Sequence, residues 1–271
     1  MKHLKTLLAG IAFLFITTGC NSSSSNTIVV GATPSPHSEI LKSAAVQDYI
    51  KSQGYNLKVK VYQDYITPNK ALNDGALDAN YFQHFYYLND EVENKGYNLT
   101  TACSVHFEPL ALYSKTKISD FTNKKISIIN DVSNCTRALE LLKVNGLISS
   151  YDVSNFDASH LVYTSEIGVT LEAISEGLLT KKVDDDSLAV IPGNFALTSW
   201  GATKATSYKV FSESPETAGL NANLIAVRKD DLLNDKTRIL VEALSRNEVK
   251  EFIENTYGPT VTYAFKDYRN N

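Results

Sequence analysis

The sequence of 271 residues predicts an α/β fold in two lobes, each a mainly parallel sheet flanked by helices. Two observations predict it. After residue 26, short strand-like runs take turns with longer runs at helical spacing, and strands alternating with helices build parallel sheets through right-handed crossovers. The alternation also comes in two series, one ending near residue 108 and one near 222, after which the chain closes with helices. Lobe 1 is therefore expected over residues 27–108, with 226–271 returning to it, and lobe 2 over 109–225.

Residues 27–32, TIVVGA, read as the first strand. Residues 37–54 read as a helix: Ile40, Leu41, Ala44, Ala45, Tyr49 and Ile50 keep helical spacing and Gly54 supplies a stop. Residues 57–62, LKVKVY, alternate as a strand does. A short helix starts at Thr67-Pro68, a cap followed by the residue favoured in the first turn, and stops at Gly75. LDANYF is a strand, residues 84–96 are a helix ending in glycine, and LTTACSVHF and PLALYS are strands. In the second series, KISIIND leads into a helix over 133–146, capped by Ser133 or Asn134. LVYT then leads into residues 165–177, and strand SLAVI into helix NFALTSWG. Strand ANLIAVR (222–228) and two helical runs, 233–246 and 247–258, finish the chain.

The stretch ANYFQHFYYL, residues 79–88, holds five aromatic residues and straddles a strand end and a helix start. Helical spacing puts Phe85, Leu88 and Val92 on one stripe, expected in the core. His84 and Tyr87 fall on a second stripe and, with Phe82 at the strand end, are expected to face a ligand.

The N-terminus has the form of an export signal: Lys2 and Lys5, then an apolar run from Leu7 to Ile16 that is too short to span a bilayer. Thr18-Gly19-Cys20 resembles the lipobox of bacterial lipoproteins, with Thr17 where leucine is usual. That resemblance implies a signal peptide over 1–19 and a Cys20 that carries acyl chains such as palmitate. Residues 20–26 then form a flexible polar tether. The protein is expected at the cell membrane, lipid-anchored, facing the periplasm or the cell exterior.

Composition narrows the function. The formal net charge is −4, and loss of the leader's two lysines takes it to −6, which argues against nucleic acid as a partner. No later segment is apolar enough to span a membrane. Beyond Cys20 there remain Cys103 and Cys135, which an oxidising compartment could pair; both are read as free. The Gly-x-Ser-x-Gly elbow, the phosphate loop and the dinucleotide fingerprint are absent.

In open α/β sheets ligands bind beyond the carboxyl ends of strands, at helix N-termini. The residues there include His37, Tyr65, Phe82, Gln83, His84, His106, Glu108, Arg137, Asn194 and Asn223. Arg137, near the start of a helix, either clamps an anion through two hydrogen bonds or pairs with Glu140 on the surface. Asn223 either opens its strand as a turn residue or needs a partner inside it. His84, His106 and Glu108 resemble part of a zinc site, the basis of a second reading as a metal-binding receptor or metal-dependent hydrolase. Trp200 reads as packing.

VGATPSPHSEIL, DYITPNKAL, LDANYFQHFYYL, HFEPLALYS, INDVSNCTRALELL and NANLIAVR occur in this order and resemble the motifs of the NlpA family, the methionine-binding lipoproteins of ATP-binding-cassette (ABC) importers. The resemblance runs from about residue 28 to the C-terminus. It implies a periplasmic-binding-protein-like fold of type II and no enzymatic activity, cofactor or metal. The protein would be a monomer that closes on L-methionine, a related amino acid or a methionine dipeptide and delivers it to an ABC permease. Carried over motif by motif, Tyr65, Phe82, His84, Tyr87 and His106 would line the side-chain pocket, Arg137 would hold the carboxylate, and Asn223 would hold the polar end. The hinge would lie near residues 107–112 and 221–228. One departure stands out: the family's Ile-Asn-Gly-Asn-Tyr-Ala reads Ile191-Pro192-Gly193-Asn194-Phe195-Ala196 here, and Pro192 brings no side-chain amide and no N–H. Asn194 would substitute, or the ligand differs, or the protein is a surface lipoprotein that has lost ligand binding.

Overall fold

The computed structural model describes residues 26–269; the leader, Cys20 and the tether up to residue 25 lie outside them. In chain order the strands are β1 (Thr27–Ala32), β2 (Asn56–Val61), β3 (Ala79–His84), β4 (Leu99–Phe107), β5 (Ala111–Tyr113), β6 (Lys125–Ile129), β7 (Ser150–Asp152), β8 (Val162–Thr164), β9 (Thr170–Ile174), β10 (Leu188–Ile191), β11 (Lys209–Ser212), β12 (Asn223–Arg228) and β13 (Thr262–Asp267). They form one sheet in the order β13-β4-β12-β3-β1-β2, a second in the order β11-β5-β10-β6-β9, and a small β7-β8 hairpin.

The α/β class stands, and both sheets prove mixed. In the first, β1 runs parallel to β2 and β3, whereas β12 is antiparallel to both β3 and β4. In the second, β6 runs parallel to β9 and β10, whereas β5 is antiparallel to β10 and β11. The cause is the connectivity. Each sheet admits one strand that has just crossed from the other, β12 in the first and β5 in the second, and a strand arriving from the cleft side must run against its hosts; the edge strand β13 also runs antiparallel to β4. The crossings are Glu108–Leu110 and residues 213–222. The chain is back in the first sheet at Asn223, ahead of the 225/226 division expected from the sequence.

Other local expectations are corrected. The helix expected over 37–54 breaks at Ser43, whose ψ is 150° and whose hydroxyl donates to the Ile40 carbonyl at 2.7 Å. The cap of helix Val132–Val144 is Asp131, whose carboxylate accepts from the Asn134 N–H at 2.9 Å. Strand β9 forms within 165–177, and the chain ends in strand β13 on the edge of β4 rather than in helices. Gly96, at φ 67°, does close helix Phe85–Lys95 as expected.

Each lobe has an apolar core, and Leu197 from helix Gly193–Tyr208 of the second lobe joins that of the first. Val30, Ile40, Ile50, Val105 and Ile225 belong to the first lobe's core, and Ile126, Ile128, Leu139, Leu142 and Val190 to the second's. Cys103 lies in the first core and Cys135 in the second, and both are free thiols. A further cluster bridges the lobes: Tyr65, Phe82 and Tyr87 pack with Ala111, Tyr113, Ile191 and Ala196. Trp200 packs edge-on to Tyr113 and Tyr208. Among the described residues no helix is long and apolar enough to cross a membrane.

Candidate functional site

The carboxyl ends of the parallel strands in both sheets face one cleft. Tyr65 follows β2, Phe82 and His84 end β3, Glu108 follows β4, Asn134 and Arg137 lie on the helix after β6, and Asn194 lies on helix Gly193–Tyr208 after β10. Register sets Asn223, the first residue of β12, between His84 and His106. The cleft is narrow: within about 330 Å³ of unfilled space, the room left for the centre of a water molecule is about 20 Å³. An amino acid can enter only if the lobes part.

One wall is aromatic. The Tyr65 ring lies 5.6 Å from Phe82, 5.7 Å from Tyr87 and 5.2 Å from Phe195 of the other lobe. Among the described residues, two hydrogen bonds cross the cleft. The Tyr65 hydroxyl donates to Asn194 Oδ1 at 2.8 Å. His84 Nε2 donates to Asn134 Oδ1 at 2.9 Å, while its Nδ1 accepts from the Tyr87 N–H at 3.3 Å and so caps helix Phe85–Lys95. That pattern fixes a neutral tautomer. Burial first, and then Arg137, push the His84 pKa down to about 3.

Arg137 does not pair with Glu140. Its Nε and Nη2 bind Glu213 at 3.0 and 2.6 Å, and its Nη1 donates to Asn134 Oδ1 at 3.0 Å. Glu213 also accepts from the Leu110 N–H at 2.8 Å, and the Glu213 N–H donates to the Leu110 carbonyl at 2.9 Å. The guanidinium is thereby tied to both crossings. On its outer side the Arg137–Glu213 pair borders a wider surface groove that reaches Tyr86 and Asn221.

Behind the cleft sits a second polar group. His106 Nε2 donates to Glu108 Oε1 at 2.7 Å, and its Nδ1 accepts from the Tyr81 hydroxyl. His37 Nε2 donates to Asn223 Oδ1 at 3.0 Å, and its Nδ1 accepts from the Thr33 hydroxyl at 2.8 Å. Burial holds His106 near pKa 3 and His37 near 4, and raises Glu108 to about 7.

The structure brings Tyr65, Phe82, His84, Tyr87, Arg137, Asn194 and Asn223 together around the cleft. His106 does not join them: it is fully buried behind Glu108. The metal trio expected from His84, His106 and Glu108 is not formed, because His84 turns across the cleft to Asn134. The acid and base groups that do converge are His37, His106 and Glu108, within 4.8 Å of one another. Both Nε2 atoms there carry hydrogen and both Nδ1 atoms accept from hydroxyls, so no ring nitrogen has a lone pair free for an ion. Asn223 proves a partnered strand residue. Pro192 caps helix Gly193–Tyr208, its carbonyl accepting from Phe195 and Ala196. Phe85 is 38 % exposed at the surface, not core. Tyr81 is fully buried, and Tyr86 is exposed. Sequence reasoning missed Asn134 and Glu213. Asn134 stands one helical turn before Arg137, a spacing that puts the two on one face.

Two facing sheets joined by two crossings, with a polar and aromatic cleft between them, define a two-lobed α/β solute-binding protein. The family described as NlpA lipoprotein matches residues 28–265, and the chain belongs to that family. It is 35% identical over 269 residues to the methionine-binding lipoprotein MetQ of Bacillus subtilis, covering 95% of this chain and 96% of that one. A nutrient-binding protein from Burkholderia cenocepacia, solved bound to methionine, superposes with a TM-score of 0.79 at 32% identity, over 88% of this chain and 100% of that chain. An ABC transporter periplasmic substrate-binding protein from Coxiella burnetii superposes with a TM-score of 0.78 at 29% identity, over 88% of this chain and 100% of that chain. The protein is thus a solute-binding lipoprotein and not an enzyme.

Proposed function

We propose that this protein captures methionine, or an amino acid or methionine dipeptide closely related to it, between its lobes and delivers it to an ABC permease. Lipid on Cys20 holds it at the outer face of a membrane, where it works as a monomer. The observation that carries the reading is the pairing across the cleft: Tyr65 with Asn194 and His84 with Asn134, beside the guanidinium of Arg137. These contacts ring a water-poor space with an aromatic wall at one side and a cation at the other. A thioether packs well on aromatic faces and edges, and a buried carboxylate needs charge-assisted donors. The names of the relatives support the same ligand class. Lobe closure is favoured only by contacts made in the closed state, and a ligand bridging Tyr65, Arg137 and Asn223 supplies them.

Calorimetric titration with L-methionine, D-methionine, a methionine dipeptide and leucine tests this. Saturable heat with at least one methionine ligand, and a weaker response to leucine, is the expected result. No response to any of the four overturns the reading, as does release of an unrelated molecule when the purified protein is denatured.

A further inference from the structure

We propose that Glu108 is the group that receives the ligand's α-ammonium, so that this receptor requires a free amine and rejects ligands that lack one. The inference rests on the reading of the cleft as an amino-acid site. Glu108 is 4 % exposed and lines the cleft at the first crossing between the lobes. Its Oε1 is engaged by His106 Nε2 at 2.7 Å, and His37 Nε2 lies 3.5 Å from the same oxygen. Its Oε2 is buried and has no hydrogen-bond partner. A buried carboxylate oxygen without a donor is costly, and native proteins seldom leave one so.

The surroundings specify what the missing donor is. The carboxylate cannot swing to find a partner elsewhere, because Tyr81 fixes His106 and His106 fixes Oε1. Among the described residues, the one cation lining the cleft, Arg137, is bound to Glu213 through Nε and Nη2. On the facing lobe stands Gly193, where a Cβ would fall 2.9 Å from Glu108 Cβ and 3.0 Å from Oε2. Glycine there keeps Oε2 open to the cleft. Asn223 Oδ1 takes one hydrogen from His37 and has a second lone pair to offer. A carboxyl oxygen without a partner, an amide oxygen nearby and no donor already in place suit a group with several N–H donors and a positive charge. A primary ammonium is that group. In this arrangement Arg137 and Glu108 take opposite ends of a zwitterion.

The test compares L-methionine with its 2-hydroxy analogue, in which a hydroxyl replaces the amine, by calorimetry on the wild-type protein and on Glu108→Gln. The wild type is expected to bind methionine at least about a hundredfold more tightly, since a site built for a charged donor rejects an analogue that lacks it. Glu108→Gln is expected to weaken methionine by at least about thirtyfold, the loss of a charge-assisted hydrogen bond, and the analogue by much less. Equal wild-type affinity for the two ligands overturns the inference without recourse to any variant. So does a folded Glu108→Gln protein that keeps the wild-type preference, with folding checked by circular dichroism. A wild type that binds neither ligand, nor the panel above, removes the amino-acid reading itself and this inference with it.

Discussion

The guanidinium of Arg137 grips the carboxylate of Glu213 with two nitrogens, Nε at 3.0 Å and Nη2 at 2.6 Å, and the same carboxylate takes the backbone N–H of Leu110. A helix of the second lobe and both inter-lobe crossings therefore meet at one side chain. A ligand carboxylate that recruits Arg137 competes with Glu213, and in doing so it acts on the hinge.

Arg137→Ala strands a side chain of Glu213 that is only 9 % exposed. The expected cost is about 1.5–3 kcal/mol of stability, as for a hydrogen bond to a charged group, with at least about a tenfold loss of methionine affinity. Arg137→Lys keeps the charge without the two-pronged geometry and should fall between. Thermal unfolding and calorimetry measure both effects, and an Arg137→Ala protein with wild-type affinity means that the carboxylate is held elsewhere.

Tyr65→Phe keeps the ring and removes only the donor to Asn194. Closure should weaken by about 0.5–1.5 kcal/mol, read as a two- to tenfold rise in Kd with little change in the unfolding midpoint. An unchanged Kd would show that this bond contributes nothing to closing.

Gly193→Ala places a methyl group against Glu108. Overpacking of this kind costs about 1–3 kcal/mol, and the displaced carboxylate should carry ligand affinity down with it. A variant with wild-type Tm and Kd would mean that the two lobes have slack at this point.

Stability should rise with pH between about 4.5 and 6.5. His37 is lowered to about 4, and His84 and His106 to about 3, mainly by burial. A folded pKa below the unfolded value means that the unfolded chain binds more protons, so each contribution is complete above the ordinary value of about 6.5 and is lost progressively as pH falls from there through the folded values of about 4 and 3. Glu108 acts in the opposite sense: raised to about 7, its contribution is complete below the ordinary carboxylate range and is lost as pH rises through 7. Three histidines outweigh one carboxyl on the acid side. Unfolding midpoints at half-unit steps from pH 4 to 8 check this, and a flat profile below pH 6.5 contradicts it.

The sequence makes the sorting of residues 79–88 partly legible. Strand end plus helix start places Phe82, His84 and Tyr87 at the cleft and Leu88 in the core. Phe85 escapes the rule because helical spacing assigns a direction, whereas burial needs something on that side. As the first residue of its helix, Phe85 stays at the surface, its ring against Tyr86 at 5.9 Å and on the rim of a groove it shares with Leu88 and Val92. His106 and Glu108 share a strand face by parity, and parity cannot say which of the two reaches the ligand. The chain leaves the first sheet at Glu108, and that exit carries the carboxylate forward and leaves the imidazole behind. Glu213 had no local signal at all: Arg137 is 76 positions away, and only the fold brings them together.

The visiting strands of the two sheets also set an order of assembly. Every strand of the second sheet lies between Ala111 and Ser212, so that sheet is complete in sequence before the return crossing has been made. The first sheet holds the earliest residues of the fold, yet β12 sits in its interior and separates β3 from β4. As the chain is synthesised from its N-terminus, the part made first must wait for nearly the whole of the rest before it can close. A chain stopped at residue 215 should therefore show protease cuts concentrated in 27–107, while 111–212 resists, and protection of the early segment should arrive only with Asn223–Arg228. That early segment carries Tyr65, Phe82, His84 and Tyr87, so half of the binding cleft is built at the last moment of folding.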